Sequence, residues 1–235
     1  MIYVTGDTHS DYTRFSTENF PEQRGMTKED FVIVCGDFGF LWDGSPKEEK
    51  NLEKLRKKKY QILFVDGPHE NYDMLEQYPV VDWNGGKARH LGGSIYHLLR
   101  GYVFTLEGLH IFAFGGGESD DRQMYADTGL WWPQEMPSLD EMGTAVRSLK
   151  EYDMQVDYIV THYPAPRMKT LHDLAPLEKN QLEMFFERIA KQVTFKMWYF
   201  GSLHIDRKIT NTYTSVFREI LPITGGDSKG RRFRR

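Results

Sequence analysis

Phe31-Val32-Ile33-Val34-Cys35-Gly36-Asp37 decides the fold. Its continuous, largely β-branched apolar run reads as a strand buried on both faces, the mark of a parallel sheet covered by helices. The Gly-Asp that ends the run leaves a carboxylate at the strand's carboxyl end. The same arrangement recurs on either side. Ile2-Tyr3-Val4 leads into Gly6-Asp7-Thr8-His9, and Ile62-Leu63-Phe64-Val65 into Gly67-Pro68-His69-Glu70. Tyr158-Ile159-Val160 leads into Thr161-His162, and Met197-Trp198-Tyr199-Phe200 into Gly201-Ser202-Leu203-His204. Open α/β sheets bind ligands beyond the carboxyl ends of their strands. Strand ends carrying Asp, His and Gly are therefore expected to build one site from parts far apart in the chain.

The segments between them predict helices over residues 11–20, 46–60 and 71–78, the second with Leu52 and Leu55 inward, which makes a βαβ start. The texture then changes to closely spaced apolar runs, at His90-Leu91 and over 95–99, 102–106 and 110–114, with Glu107-Gly108 as a hairpin turn. This antiparallel part is expected to cover or extend a second sheet. Gly115-Gly116-Gly117 and the polar stretch to Gly129 read as a loop at the rim of the site. Ser138, with Glu141 three residues on, caps a helix running to Tyr152. Leu182, Phe185, Phe186 and Ile189 carry the core face of a helix over 177–191. Residues 208–213 and 215–221 read as a closing antiparallel pair. With no internal repeat or linker, the expectation is a single domain over 1–223 and a basic flexible tail over 224–235.

Composition narrows the function. The net charge of −4 argues against wholesale nucleic-acid binding, while the terminal Arg cluster leaves that class open. The single cysteine, Cys35, excludes an internal disulfide and suits a reducing compartment. No apolar stretch approaches the ~20 residues of a membrane span, and Met1 leads almost directly into the first strand. A cytoplasmic protein without membrane contact is expected.

The ordered motifs resemble those of the calcineurin-like metallophosphoesterases: Asp-x-His, Gly-Asp, Gly-Asn-His-Asp/Glu, a lone His, then Gly-His-x-His. The resemblance spans residues 5–204. It implies an α/β fold, a four-layer α-β-β-α sandwich of two mixed sheets, and a phosphate mono- or diester substrate hydrolysed through metal-activated water. Carried onto this chain, Asp7, His9, Asp37 and His204 hold one divalent ion. Mixed carboxylate and imidazole ligation suits manganese, iron or zinc. The second ion would take Asp37, His162 and the positions of Pro68 and Ser202. Pro68 stands where the family has Asn and offers no side-chain donor; Ser202 stands where it has His and is at best a weak neutral ligand. One well-held ion and a weakened second site follow, unless Glu70, Asn71, Glu118, Asp120 or Asp121 substitutes. His69 matches the histidine that contacts phosphate and helps protonate the leaving group, a role suited to an imidazole near neutrality. Ser10 is a milder departure, where a Gly commonly follows the first His.

Two other functions remain beside metal-dependent phosphoester hydrolysis: a catalytically degenerate scaffold that binds without turnover, and a nuclease. His97, His110 and His172 lack motif context and read as structural or surface groups. Arg100 reads as a strand-end salt bridge, with reach to a phosphate as the alternative. Trp42, Trp131 and Trp132 read as packing residues, with stacking on a substrate base as the alternative. Oligomeric state leaves no trace in the sequence.

Overall fold

In a computed structural model the described residues are 1–119, 122, 127, 129–170 and 179–223. They form two mixed sheets. The first contains β1 (Ile2–Gly6), β2 (Phe31–Cys35), β3 (Gln61–Val65), β4 (Val80–Trp83), β5 (Gly86–His90), β6 (Ile95–Leu98) and β13 (Leu221–Pro222), in the order β13-β1-β2-β3-β6-β5-β4. Its central strands β1, β2, β3 and β6 are parallel; β13, β5 and β4 are antiparallel edges. The second contains β7 (Tyr102–Leu106), β8 (Leu109–Phe114), β9 (Tyr158–Thr161), β10 (Met197–Phe200), β11 (Arg207–Lys208) and β12 (Tyr213–Ser215), in the order β11-β12-β10-β9-β8-β7.

Strand parity explains the layers. Side chains alternate across a strand, so Ile33 and Cys35 of β2 join Ile111, Ala113 and Val160 in the core between the sheets. Val32 and Val34 face outward to Leu52 and Leu55 of α1 (Pro46–Arg56), with Phe15 and Phe20 beside them. On the far side, Phe112, Ile159, Trp198 and Phe200 meet Leu149 of α3 (Leu139–Glu151) and Leu182, Phe186 and Ile189 of α5 (Gln181–Gln192). This is the expected four-layer sandwich. The helices α2 (Tyr72–Leu75) and α4 (Pro166–Thr170) are short.

Several local expectations hold. Glu107 and Gly108, with φ of +50° and +76°, turn β7 into β8. Ser138 and Glu141 form the reciprocal capping box of α3. Others are corrected. Residues 11–20 are not an α-helix but a 3₁₀ turn, Tyr12–Phe15. Asp11 accepts from the Thr13 amide and hydroxyl, and Asn19 donates to the Thr13 carbonyl, so side chains take the groups a helix needs. Helix α1 stops at Arg56 rather than 60, where Ser94 Oγ lies within reach of the carbonyls of Leu55, Arg56 and Lys58 and donates its one proton among them. The helix over 71–78 shrinks to one turn. The β4–β5 hairpin is an addition to the expected strands; Asn84-Gly85 at its tip, with φ of +48° and +93°, is its turn signal.

The closing pair is also rearranged. Tyr213–Ser215 runs parallel to β10 and antiparallel to β11, whereas Leu221–Pro222 crosses to the other sheet and pairs with β1. The crossing is not a strand because the amides of Phe217, Arg218 and Glu219 all donate to the Asp206 carboxylate. The basic tail over 224–235 lies outside the described residues.

Phe186 is fully buried against Phe114 and Trp198. Phe186→Ala should lower unfolding free energy by about 3–5 kcal/mol, read from the urea midpoint at constant m.

Candidate metal centre

The carboxyl ends of both parallel blocks meet at one rim. Asp7 and His9 follow β1, and Asp37 follows β2. The two turns are laced by His9 N to Asp37 O at 3.0 Å, Ser10 N to Phe38 O at 3.2 Å and Thr8 Oγ1 to Phe38 O at 2.7 Å. His69 arrives from the turn after β3: its amide donates to Asp37 Oδ1 at 2.9 Å and its Nδ1 lies 2.7 Å from Asp37 Oδ2. His162, after β9, puts Nδ1 3.5 Å from Asp7 Oδ1 and Nε2 3.9 Å from Asp37 Oδ1. His204, after β10, puts Nε2 2.8 Å from Asp7 Oδ2, and its ring stacks on Phe217. His9 Nε2 is 3.6 Å from Asp37 Oδ2.

Close approach is bought with backbone conformation. His9, Asp37 and His204 have φ of +42°, +46° and +51°, a region that non-glycine residues enter at a cost and that clusters at functional sites. Gly201 must lack a side chain, since a Cβ there would overlap Asp7 Oδ1 and the Cys35 carbonyl.

Asp7 is 1% exposed, and the groups that face its oxygens are imidazoles: His204 Nε2 at 2.8 Å from Oδ2 and His162 Nδ1 at 3.5 Å from Oδ1, with no backbone or hydroxyl donor among the described residues to either oxygen. A buried carboxylate without such donors is costly unless a cation is its partner. Among the described residues, three overlapping groups place ligand atoms within 4.8 Å of one another: Asp7, His9 and His204; His9, Asp37 and His69; and Asp7, Asp37 and His162. The donor set and the orphaned oxygens fit a divalent cation. His69 thus stands within ligand reach as well as at the position of a proton donor.

The electrostatics agree. Burial opposes charge on Asp37, but His162 and the His69 hydrogen bond hold its carboxyl well below the usual range. Burial likewise opposes protonation of His162, which Asp37 and Asp7 nevertheless raise to about 9. The Asp37 hydrogen bond raises His69, and contact with Asp7 raises His204, while burial lowers His9.

The family model for calcineurin-like phosphoesterases matches residues 1–205. The chain belongs to the calcineurin-like phosphoesterases. Family membership and the ligand groups support metal-dependent phosphoester chemistry in general. No curated protein matches the chain. Among solved structures, a 5'-nucleotidase from Candida albicans SC5314 is 15% identical, with a TM-score of 0.48 over 92% of this chain and 44% of its own. The chain thus spans less than half the length of that protein. A protein of unknown function from Aquifex aeolicus is 14% identical, with a TM-score of 0.32 over 70% of this chain and 80% of its own. Among the described residues no helix is long and apolar enough to cross a membrane.

Two substitute ligands suggested by the sequence are committed elsewhere. Glu70 accepts from the amides of Phe38 at 2.6 Å and Gly39 at 3.3 Å, tying the His69 turn to the Asp37 turn. Asn71 caps α2 and donates to the Trp42 carbonyl. Glu118 is near Asn180 and Arg122. Asp120, Asp121 and His172 lie outside the described residues. Ser202 buries a hydroxyl with no hydrogen-bond partner.

Sequence reasoning missed Asp66. This carboxylate is 1% exposed. His97 Nε2 lies 3.0 Å from its Oδ1; Tyr72 and the Arg100 guanidinium reach Oδ2. Gly116 N donates to its carbonyl, and Arg100 continues to the Gln134 carbonyl. The hub braces the His69 turn against the loop after β8. It fixes Arg100 as a buried salt bridge, the first of the two sequence alternatives. His97 is structural, and His110 packs on Tyr152.

Raised imidazoles stabilise the fold below their unfolded pKa of about 6.5, and that stability is lost as pH rises through the folded values. The chelated protein should therefore melt at lower temperature as pH goes from 6.5 to 9. Added manganese should oppose this loss increasingly over the same range, because ligation needs neutral imidazoles. Thermal denaturation with and without chelator checks both.

Proposed function

We propose a metal-dependent phosphoesterase that hydrolyses a phosphate mono- or diester with one well-held divalent ion and a weakened second site. The observation that carries the reading is Asp7: a buried carboxylate whose oxygens face only the imidazoles of His9, His162 and His204. Asp7, His9, Asp37 and His204 would hold the ion, and the donor set suits manganese, iron or zinc. Such an ion neutralises phosphoryl oxygens and makes water a nucleophile near neutral pH.

The chain's own groups supply the rest. Asp37 Oδ2 engages His69 Nδ1, which fixes the tautomer and leaves Nε2 to carry the proton. The carboxylate also raises the imidazole's affinity for that proton. As the ester bond to phosphorus breaks, the Nε2 proton passes to the departing alcohol oxygen. His162, buried between Asp7 and Asp37, would contact the phosphoryl group or a loosely held second ion. The weakening rests on Pro68, which has no donor atom, and on Ser202, a single hydroxyl where an imidazole would bind more strongly. The same two residues favour a second reading, a binding scaffold without turnover. We place the protein in the cytoplasm as a single domain over 1–223, consistent with its one buried thiol, Cys35.

Metal analysis of protein loaded with manganese and then dialysed should find close to one ion per chain. Asp37→Ala should reduce phosphoesterase turnover by more than about a hundredfold, since loss of even an outer-shell partner costs 10–100-fold. Pro68→Asn with Ser202→His should take up a second ion and raise the rate. A restored variant that still holds one ion contradicts the weakened-site assignment, and wild-type protein that binds manganese without hydrolysing any ester favours the scaffold.

A further inference from the structure

An aromatic group stands beside His69. The Trp42 ring lies 6.1 Å from the His69 ring, and Trp132 meets Trp42 edge-on at 6.0 Å. Tyr72 backs Trp132 at 6.4 Å. Trp42 is half-buried, while Trp132 is buried. Packing alone would not require the way Trp42 is held. Its amide donates to Glu48 Oε1 at 2.5 Å, and its carbonyl accepts from Asn71 Nδ2 at 2.8 Å. Asn71 N also donates to the Leu41 carbonyl at 2.9 Å. Asn71 is two residues beyond His69, so the Trp42 backbone is fastened to the turn that carries the proton donor. The backbone that carries the indole is thus tied to the His69 turn, and the ring itself packs on Trp132, which is the preorganisation a binding surface needs.

Geometry then constrains the substrate. If His69 protonates the departing oxygen, the organic group on that oxygen lies next to the His69 ring, and Trp42 is the large aromatic surface 6.1 Å from that ring. We infer that Trp42, supported by Trp132, is the specificity-determining subsite for the leaving group, and that it selects esters whose leaving alcohol bears an aromatic ring. Aromatic rings gain from offset or edge-on contact with indole beyond the area they bury. The inference rests on the proposed phosphoesterase chemistry.

The test compares benzyl phosphate with butyl phosphate, and the methyl diester of each, on manganese-loaded protein. Their leaving groups differ mainly in the ring. It is paired with calorimetric binding of benzylphosphonate and butylphosphonate, which are not hydrolysed. Wild type should prefer the benzyl compounds in KM and in affinity. Trp42→Ala should erase that preference, with the benzyl loss exceeding the butyl loss by at least about fivefold, the low end of aromatic stacking contributions. Trp42→Phe, which keeps a ring, should retain most of the preference, and unchanged melting would show that both variants fold. Equal phosphonate affinities in wild type, binding of neither, or equal losses for both series in Trp42→Ala would overturn the subsite. Selective benzylphosphonate binding without hydrolysis of any ester would instead keep the subsite and remove the phosphoesterase reading.

Discussion

The burial of Asp7, with only imidazoles facing its oxygens, is the constraint on which the rim depends. A carboxylate removed from water needs a positive partner, and the chain surrounds this one with imidazoles from three different turns. Those turns belong to both sheets, so the same electrostatic requirement that defines the site also locks the two halves of the sandwich at their carboxyl ends. Asp37 plays the complementary part. It engages His69 directly and His9 and His162 at longer range, which spreads one negative charge over the ligands of the centre.

Around that pair, backbone and neutral groups do the positioning. Glu70 holds the amides that follow Asp37, Gly201 lets the β10 turn close over Asp7, and Phe217 backs the His204 ring. The Asp66–Arg100 hub sits one layer out and is buried. Buried ion pairs contribute little net stability but are costly to break. Their value here is geometric, since Asp66 lies in the turn that leads to His69.

The central strands and the ligand candidates were legible because one local rule exposes both: an apolar run ended by Gly-Asp or by His puts its polar group at the strand's end. Asp7, His9, Asp37, His69, His162 and His204 all lie at such ends, and all converge. What stayed hidden needed tertiary information. Asp66 follows an apolar run like the others, and only Arg100, 34 residues away, and His97 mark it as a structural hub. The 3₁₀ turn at Tyr12–Phe15 defeats helix periodicity because Asp11 and Asn19 compete for its backbone. The destination of β13 depended on where the chain emerges after β12, which no local pattern encodes.

The order of the ligands along the chain has a kinetic side. Residues 7, 9 and 37 emerge early, but their ring-bearing counterparts at 162 and 204 arrive only after most of both sheets has been made. Contacts of such separation form late in folding. Any ion held by this rim would therefore be taken up late in maturation, and a nascent chain would carry Asp7 for most of its synthesis before His162 and His204 are made.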